Sequence, residues 1–169
     1  MGVTIHFEGS LRSQEALDDL LVAAHKFAQA NGWYVEAIDS PEATLQRVRN
    51  EEDWDYTGPV RGVALFPGPD CDPVRLEFDR DLYIQEFTKT QFAGADTHVR
   101  VVELLRAIEP FFRELSIEDE GELWETGDHE TLQAHLDACD RALESFLAEH
   151  PTAQRKVRLE DGRIADFLT

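Results

Sequence analysis

Near the start of the chain Thr4, His6 and Glu8 alternate with Val3, Ile5 and Phe7. Alternation with period two places the polar side chains on one face of a strand and the apolar ones on the other. A histidine titrates near neutral pH and a carboxylate can orient it, so such a face has the groups for acid and base work. A second polar series, Glu86, Thr88, Lys89 and Gln91, runs along the strand-like segment Leu82 to Thr90 and just past it. Pairing of the two segments would gather His6, Glu8, Lys89 and Gln91 on one sheet face, with His98 following soon after. The same residues also read as a plain solvated face with no chemistry.

The other candidate is Trp124-Glu125-Thr126-Gly127-Asp128-His129, which feeds an apolar helical stripe. Backbone N–H groups at a helix start hold anions, and a tryptophan beside them offers contact surface, so Trp124, Glu125 and Asp128 join the candidate binding face. Asp128 can equally fill the helix start itself as N-cap, with Trp124 plugging the core. Metal is not expected. His135 and Cys139, like Glu125 and His129, stand four apart on one helical face, but neither pair has a third ligand within sequence range. No nucleophile elbow, phosphate-binding glycine loop or dinucleotide fingerprint occurs, so no cofactor is expected and no catalytic residue can be assigned. Cys71, flanked by Asp70 and Asp72 in a turn where it could be exposed, is a poor nucleophile because neighbouring acids raise a thiol pKa. Cys139 falls on the apolar stripe and reads as a small core residue.

The elements that must position these groups come from a chain of 169 residues, 42% hydrophobic, which is the size of one ordinary domain with a packed core. No stretch approaches the twenty or so apolar residues of a membrane span, and the first residues lack the pattern of a signal peptide, so the expected home is the cytoplasm. Two cysteines make no disulfide framework there. The net charge is −19. Affinity for a nucleic-acid backbone comes from Lys and Arg, so direct nucleic-acid binding is disfavoured, as is an anionic membrane. Such acidity reads either as a solubilising surface or as a face built to meet a basic protein. Residues 151 to 169 differ, with Arg155, Lys156, Arg158 and Arg163 against three acids, so this tail carries +1 and the first 150 residues −20.

After the first strand, Ser13 is a plausible cap for a helix with Leu17, Leu20, Leu21, Ala24, Phe27 and Ala28 at helical spacing, stopped at Gly32. Trp33 to Ile38 reads as a short strand. Ser40-Pro41-Glu42 reads as the start of a short helix to about Arg49, and Asn50 to Pro59 as a loop. Val60 to Phe66, Val74 to Phe78 and Leu82 to Thr90 read as strands, the first two separated by the proline-rich turn Pro67 to Pro73. Asp96 caps a second long helix ended by Pro110. Ser116 to Asp119 reads as an edge strand, and Asp128 opens a third helix that stops before Pro151. The fold class is α+β, a largely antiparallel sheet of about five or six strands with three main helices packed on it. The division is one domain over 1–150 and a C-terminal tail over 151–169, which reads either as a small hairpin around Asp161-Gly162 or as a flexible extension.

Three stretches, Val3 to Gly9, Leu82 to Phe92 and Gly121 to Asp128, resemble a group of short, acidic, uncharacterised bacterial proteins, over roughly residues 3 to 148. The resemblance implies a domain extent and no activity, ligand or site residue. The best-fitting function is a non-enzymatic interaction module for a basic protein, of the immunity or inhibitor kind. The alternative is a small enzyme or ligand-binding domain using the polar face near His6, Glu8 and Lys89. A third possibility is self-association through the tail hairpin, and the oligomeric state is not legible.

Overall fold

The structure is a computed structural model, and residues 2 to 168 are described. Strand β1 (Thr4–Leu11) leads into helix α1 (Gln14–Asn31), where Ser13 Oγ accepts the Ala16 N–H at 3.1 Å and Gly32 closes the helix in the left-handed region (φ 67°). Then follow β2 (Tyr34–Leu45), the two-residue strands β3 (Val48–Arg49) and β4 (Glu52–Asp53), β5 (Tyr56–Phe66), β6 (Val74–Phe78) and β7 (Tyr83–Lys89). Helix α2 (Ala95–Ile108) ends in a 3₁₀ turn at Pro110 and passes into β8 (Phe112–Asp119). The one-turn helix α3 (Leu123–Thr126), the long α4 (His129–Glu149) and the hairpin of β9 (Gln154–Arg158) and β10 (Ile164–Leu168) complete the chain.

The fold is α+β. Two three-stranded antiparallel sheets, ordered β2-β5-β6 and β7-β1-β8, meet where β6 turns into β7. Backbone bonds cross that seam at its ends, from Asp79 N–H to the Tyr83 carbonyl and from Asp72 N–H to the Lys89 carbonyl, both 3.1 Å. Val3 just ahead of β1, Ile5 and Phe7 of β1, Val63 and Leu65 of β5, and Leu76 and Phe78 of β6 form one buried cluster with Leu17 and Leu20 of α1 and Val101, Leu104 and Leu105 of α2. Helix α4 lies outside, packed on α2 and α3. At Gly62 the chains of β5 and β6 approach so closely that a Cβ would stand 1.7 Å from the Leu76 carbonyl oxygen, which only glycine permits. Among the described residues no helix is long and apolar enough to cross a membrane.

Four local expectations are corrected. The helix expected from Ser40 to Arg49 is strand: Pro41 sits on the free edge of β2, where a missing N–H costs no ladder bond, and a register shift between Ser40 and Ala43 accommodates it. The loop expected over Asn50 to Pro59 holds β4, a tight turn at Asn50-Glu51 with positive φ (51° and 65°), and the start of β5. The cap of α2 is Gly94, with Asp96 in the first turn and making no capping bond. Cys71 is buried, with Sγ 3.7 Å from the Lys89 carbonyl oxygen, because the proline-rich turn folds back against the end of β7.

Candidate functional site

The polar face of β1 forms the floor of a cleft of about 1290 Å³ on the side of the sheet away from α1 and α2. Strand β1 is central in its sheet, so its outward residues acquire neighbours on both sides. His6 stands between Phe87 of β7 and Glu118 of β8, and Glu8 stands between Gln85 and Ser116. Glu8 accepts from the Tyr83 hydroxyl and, at 3.4 Å, from Gln85 Nε2. Burial and the bond to Glu8 push Tyr83 up to about 12. His6 Nε2 lies 3.7 Å from Glu120 Oε1.

One wall is the segment of β3 and β4, held by a side chain acting as backbone. The Gln85 amide accepts the Val48 N–H at 2.8 Å and donates to the Val48 carbonyl at 2.9 Å. Arg47 then folds inward under Tyr83, its guanidinium 4.8 Å from the ring, and Nη1 bonds Asp79 Oδ2 at 2.7 Å. The other wall is the β9–β10 hairpin. Arg163 donates to Glu86 Oε2 and to the Phe87 carbonyl, both at 2.7 Å, and Asp72 accepts the Ile164 N–H at 2.7 Å and the Lys89 N–H at 3.0 Å. The tail is thus bound to the seam between β6 and β7.

Inside that seam Glu86 lies beside Glu77. Burial, and then the nearby Glu77 carboxyl, raise Glu86 to about 8 against the opposing pull of Arg163. At neutral pH Glu86 therefore keeps its proton. Facing the cleft besides these are the exposed acids Glu8, Asp53, Asp55 and Glu118.

The remaining expected site residues go elsewhere. Lys89 pairs with Asp166 at 2.7 Å and, with the buried Gln91, lines a second cavity on the far side of the hairpin. His98 is fully buried: Thr90 Oγ1 lies 2.6 Å from Nδ1, and Nε2 donates to Asp119 Oδ2 at 3.0 Å. This Thr-His-Asp order has the spacing of a nucleophilic triad. Thr90 lines none of the cavities described here, however, and all three side chains are sealed in the body. Asp119 also accepts the N–H groups of Gly121 (2.8 Å) and Trp124 (3.0 Å), so the network ties β7, α2, β8 and α3 together. Burial alone would raise Asp119, but His98 and those N–H donors outweigh it and the carboxyl sits below its ordinary value. Glu125 Oε1 accepts the Asp119 N–H at 3.0 Å, Arg106 stacks 3.8 Å over Trp124, and Asp128 caps α4 by accepting the Glu130 N–H at 3.0 Å. Trp124, Glu125 and Asp128 are therefore committed to local structure and stand apart from the cleft.

No protein-family model matches the chain, and no curated protein or solved structure matches it. Among the described residues no group of three or more His, Cys, Asp or Glu is arranged to hold a metal ion. The cleft residues that sequence reasoning passed over are Arg47, Glu77, Gln85 and Arg163. Gln85 and Glu77 carried a signal as polar positions in apolar strands. Nothing local marked Arg47 or Arg163, which reach the cleft only through long-range chain packing.

Proposed function

We propose that the protein is a non-enzymatic interaction module whose outer-face cleft receives a basic polypeptide segment, in the manner of an immunity or inhibitor protein that masks a basic surface. One observation carries this reading: every arginine lining the cleft is already engaged, while Glu8, Asp53, Asp55 and Glu118 stand exposed along it. Arg47 is held by Asp79, Arg163 by Glu86, and Arg75 donates to the Asp161 carbonyl at 2.7 Å. The field left over is that of Glu8, Asp53, Asp55 and Glu118, which suits lysines and arginines of a partner. Phe87 within the cleft and Trp54 beside it, 39% and 38% exposed, supply the aromatic contact that interfaces favour. We infer a cytoplasmic setting, where Cys71 and Cys139 stay reduced, and a protein partner in preference to nucleic acid.

An arginine-rich peptide followed by fluorescence anisotropy tests this. Binding weakens steeply between about 0.1 M and about 1 M salt, because exposed charges are screened. Glu8→Lys and Glu118→Lys weaken it more than the charge-matched Glu144→Lys on α4. Equal effects at all three sites, or affinity flat in salt, would reject the cleft as the binding surface. The alternative, a small enzyme or ligand-binding domain on the same face, is favoured by Glu86, raised to about 8 beside Glu77 in the cleft that also holds His6 and Glu8. Lys89 does not join it. Glu86→Gln leaves peptide affinity unchanged under the first reading, whereas a loss would turn attention to the carboxyl pair.

A further inference from the structure

The cavity behind the hairpin is separate from the cleft and has a different character. Helix α4 contributes Cys139, Leu143 and Phe146, β10 contributes Phe167, and Lys89 and Gln91 reach in from the end of β7, lining an open cavity of about 540 Å³. That lies within the roughly 300–1,000 Å³ typical of small-molecule sites, and predominantly apolar walls are their rule. The Phe146 and Phe167 rings stack with centroids 4.0 Å apart. Polar groups are few. Lys89 and Asp166 neutralise each other. Gln91 is only 5% exposed, and its Oε1 meets no hydrogen-bond partner among the described residues. A buried carbonyl oxygen without a donor is costly, and a bound N–H or O–H would remove that cost.

We propose that this cavity binds a small neutral aromatic molecule bearing one hydrogen-bond donor. The aromatic walls fit a flat ring and favour offset or edge contacts with it. The Gln91 amide, whose terminal torsion is broad, can turn its oxygen on to the donor. A negative charge on the ligand is disfavoured by a protein of net charge −19, and the closed Lys89–Asp166 pair offers no free counter-ion. The site does not depend on the basic-partner reading of the outer cleft.

Indole and benzofuran are the probes, since they share a shape and differ in an N–H replaced by an oxygen. Calorimetric titration gives their affinities. Alkylation of Cys139 reports occupancy independently, because it lines the cavity while Cys71 is buried with a thiol raised to about 12. Indole slows alkylation of Cys139 and binds about tenfold more tightly than benzofuran, the scale of one buried hydrogen bond. Gln91→Leu brings the two ligands to parity, and Ala142→Trp, placed on the half-buried wall, abolishes binding of both. Absence of protection by indole, or equal affinities in the unmodified protein, would overturn the proposal. Should Ala142→Trp fold poorly, the indole-to-benzofuran ratio and its loss in Gln91→Leu still decide.

Discussion

The protein sets two histidine–carboxylate groupings a short distance apart in its fold and gives them opposite environments. His6 lies 3.7 Å from Glu120 with both side chains nearly half exposed, whereas His98 bonds Asp119 at 3.0 Å with both side chains wholly buried. Water screens the first pair and leaves His6 exposed, while Glu120 also accepts the Thr4 N–H at 2.8 Å. The second pair has no water to fall back on, so each of its polar atoms must be satisfied internally, and four chain elements are fastened in the process. Residue type alone therefore says little about role. Burial, and the number of hydrogen bonds that burial demands, separate a structural histidine from an available one.

The largest expected difference is in stability. Asp119→Ala leaves His98 and two backbone N–H groups unpaired in the interior and costs about 3–5 kcal/mol, while His6→Ala stays within about 0.5 kcal/mol. Urea unfolding of both variants checks this, and similar midpoints would erase the contrast. Gly121→Ala should fall between them, because its Cβ would stand 3.0 Å from the His98 ring and 3.2 Å from Asp119.

The pH dependence sharpens the comparison, since the two buried carboxyls shift in opposite directions. Glu86 keeps its proton to about 8 in the folded protein, against an ordinary 4.5 when unfolded. Between those values the folded state binds more protons, so stability falls as pH rises through that window, by on the order of 1 kcal/mol or more. Glu86→Gln should flatten this slope. Asp119 behaves inversely: its folded pKa is lowered, so its contribution is complete above the ordinary carboxylate value and is lost as pH falls through the folded one. Urea midpoints measured across an acid series test this, and Asp119→Asn, already weakened, should show less further loss in acid than the unmodified protein.

The smallest effect concerns the edge of the cleft. Removing the Gln85 amide with Gln85→Leu frees Val48 from its paired bonds, and the β3–β4 segment should then exchange its amide hydrogens faster while global stability changes by about 1 kcal/mol. Unchanged exchange there would mean that Arg47, anchored on Asp79, holds the wall unaided.

Much of this architecture was legible in the chain. Alternation at Val3 to Glu8 announced a strand with a wet face, Ser13 and Gly32 bracketed α1, and Asp128 marked the start of α4, because each signal is satisfied within a few residues of itself. Ser40-Pro41-Glu42 misled because the same residues that open a helix also suit a strand edge with a bulge, and only β5, pairing from the other side, selects between them. Within the candidate site, His6 and Glu8 were readable as a pair by their spacing. Lys89 was read on to the same face, yet the hairpin covers its end of β7 and Asp166 captures its charge.

By itself the sequence determined the α+β class, the caps of α1 and the start of α4, the strong negative charge, and which face of β1 is polar. Those properties follow from local spacing and composition. Tertiary structure alone decided that His98 is sealed rather than available, that Glu86 is buried beside Glu77 and keeps its proton, and that the basic tail docks on the acidic body through Arg163. Each of these depends on contacts between separate elements, where desolvation and charge pairing are set by what packs against a group and not by what adjoins it in sequence.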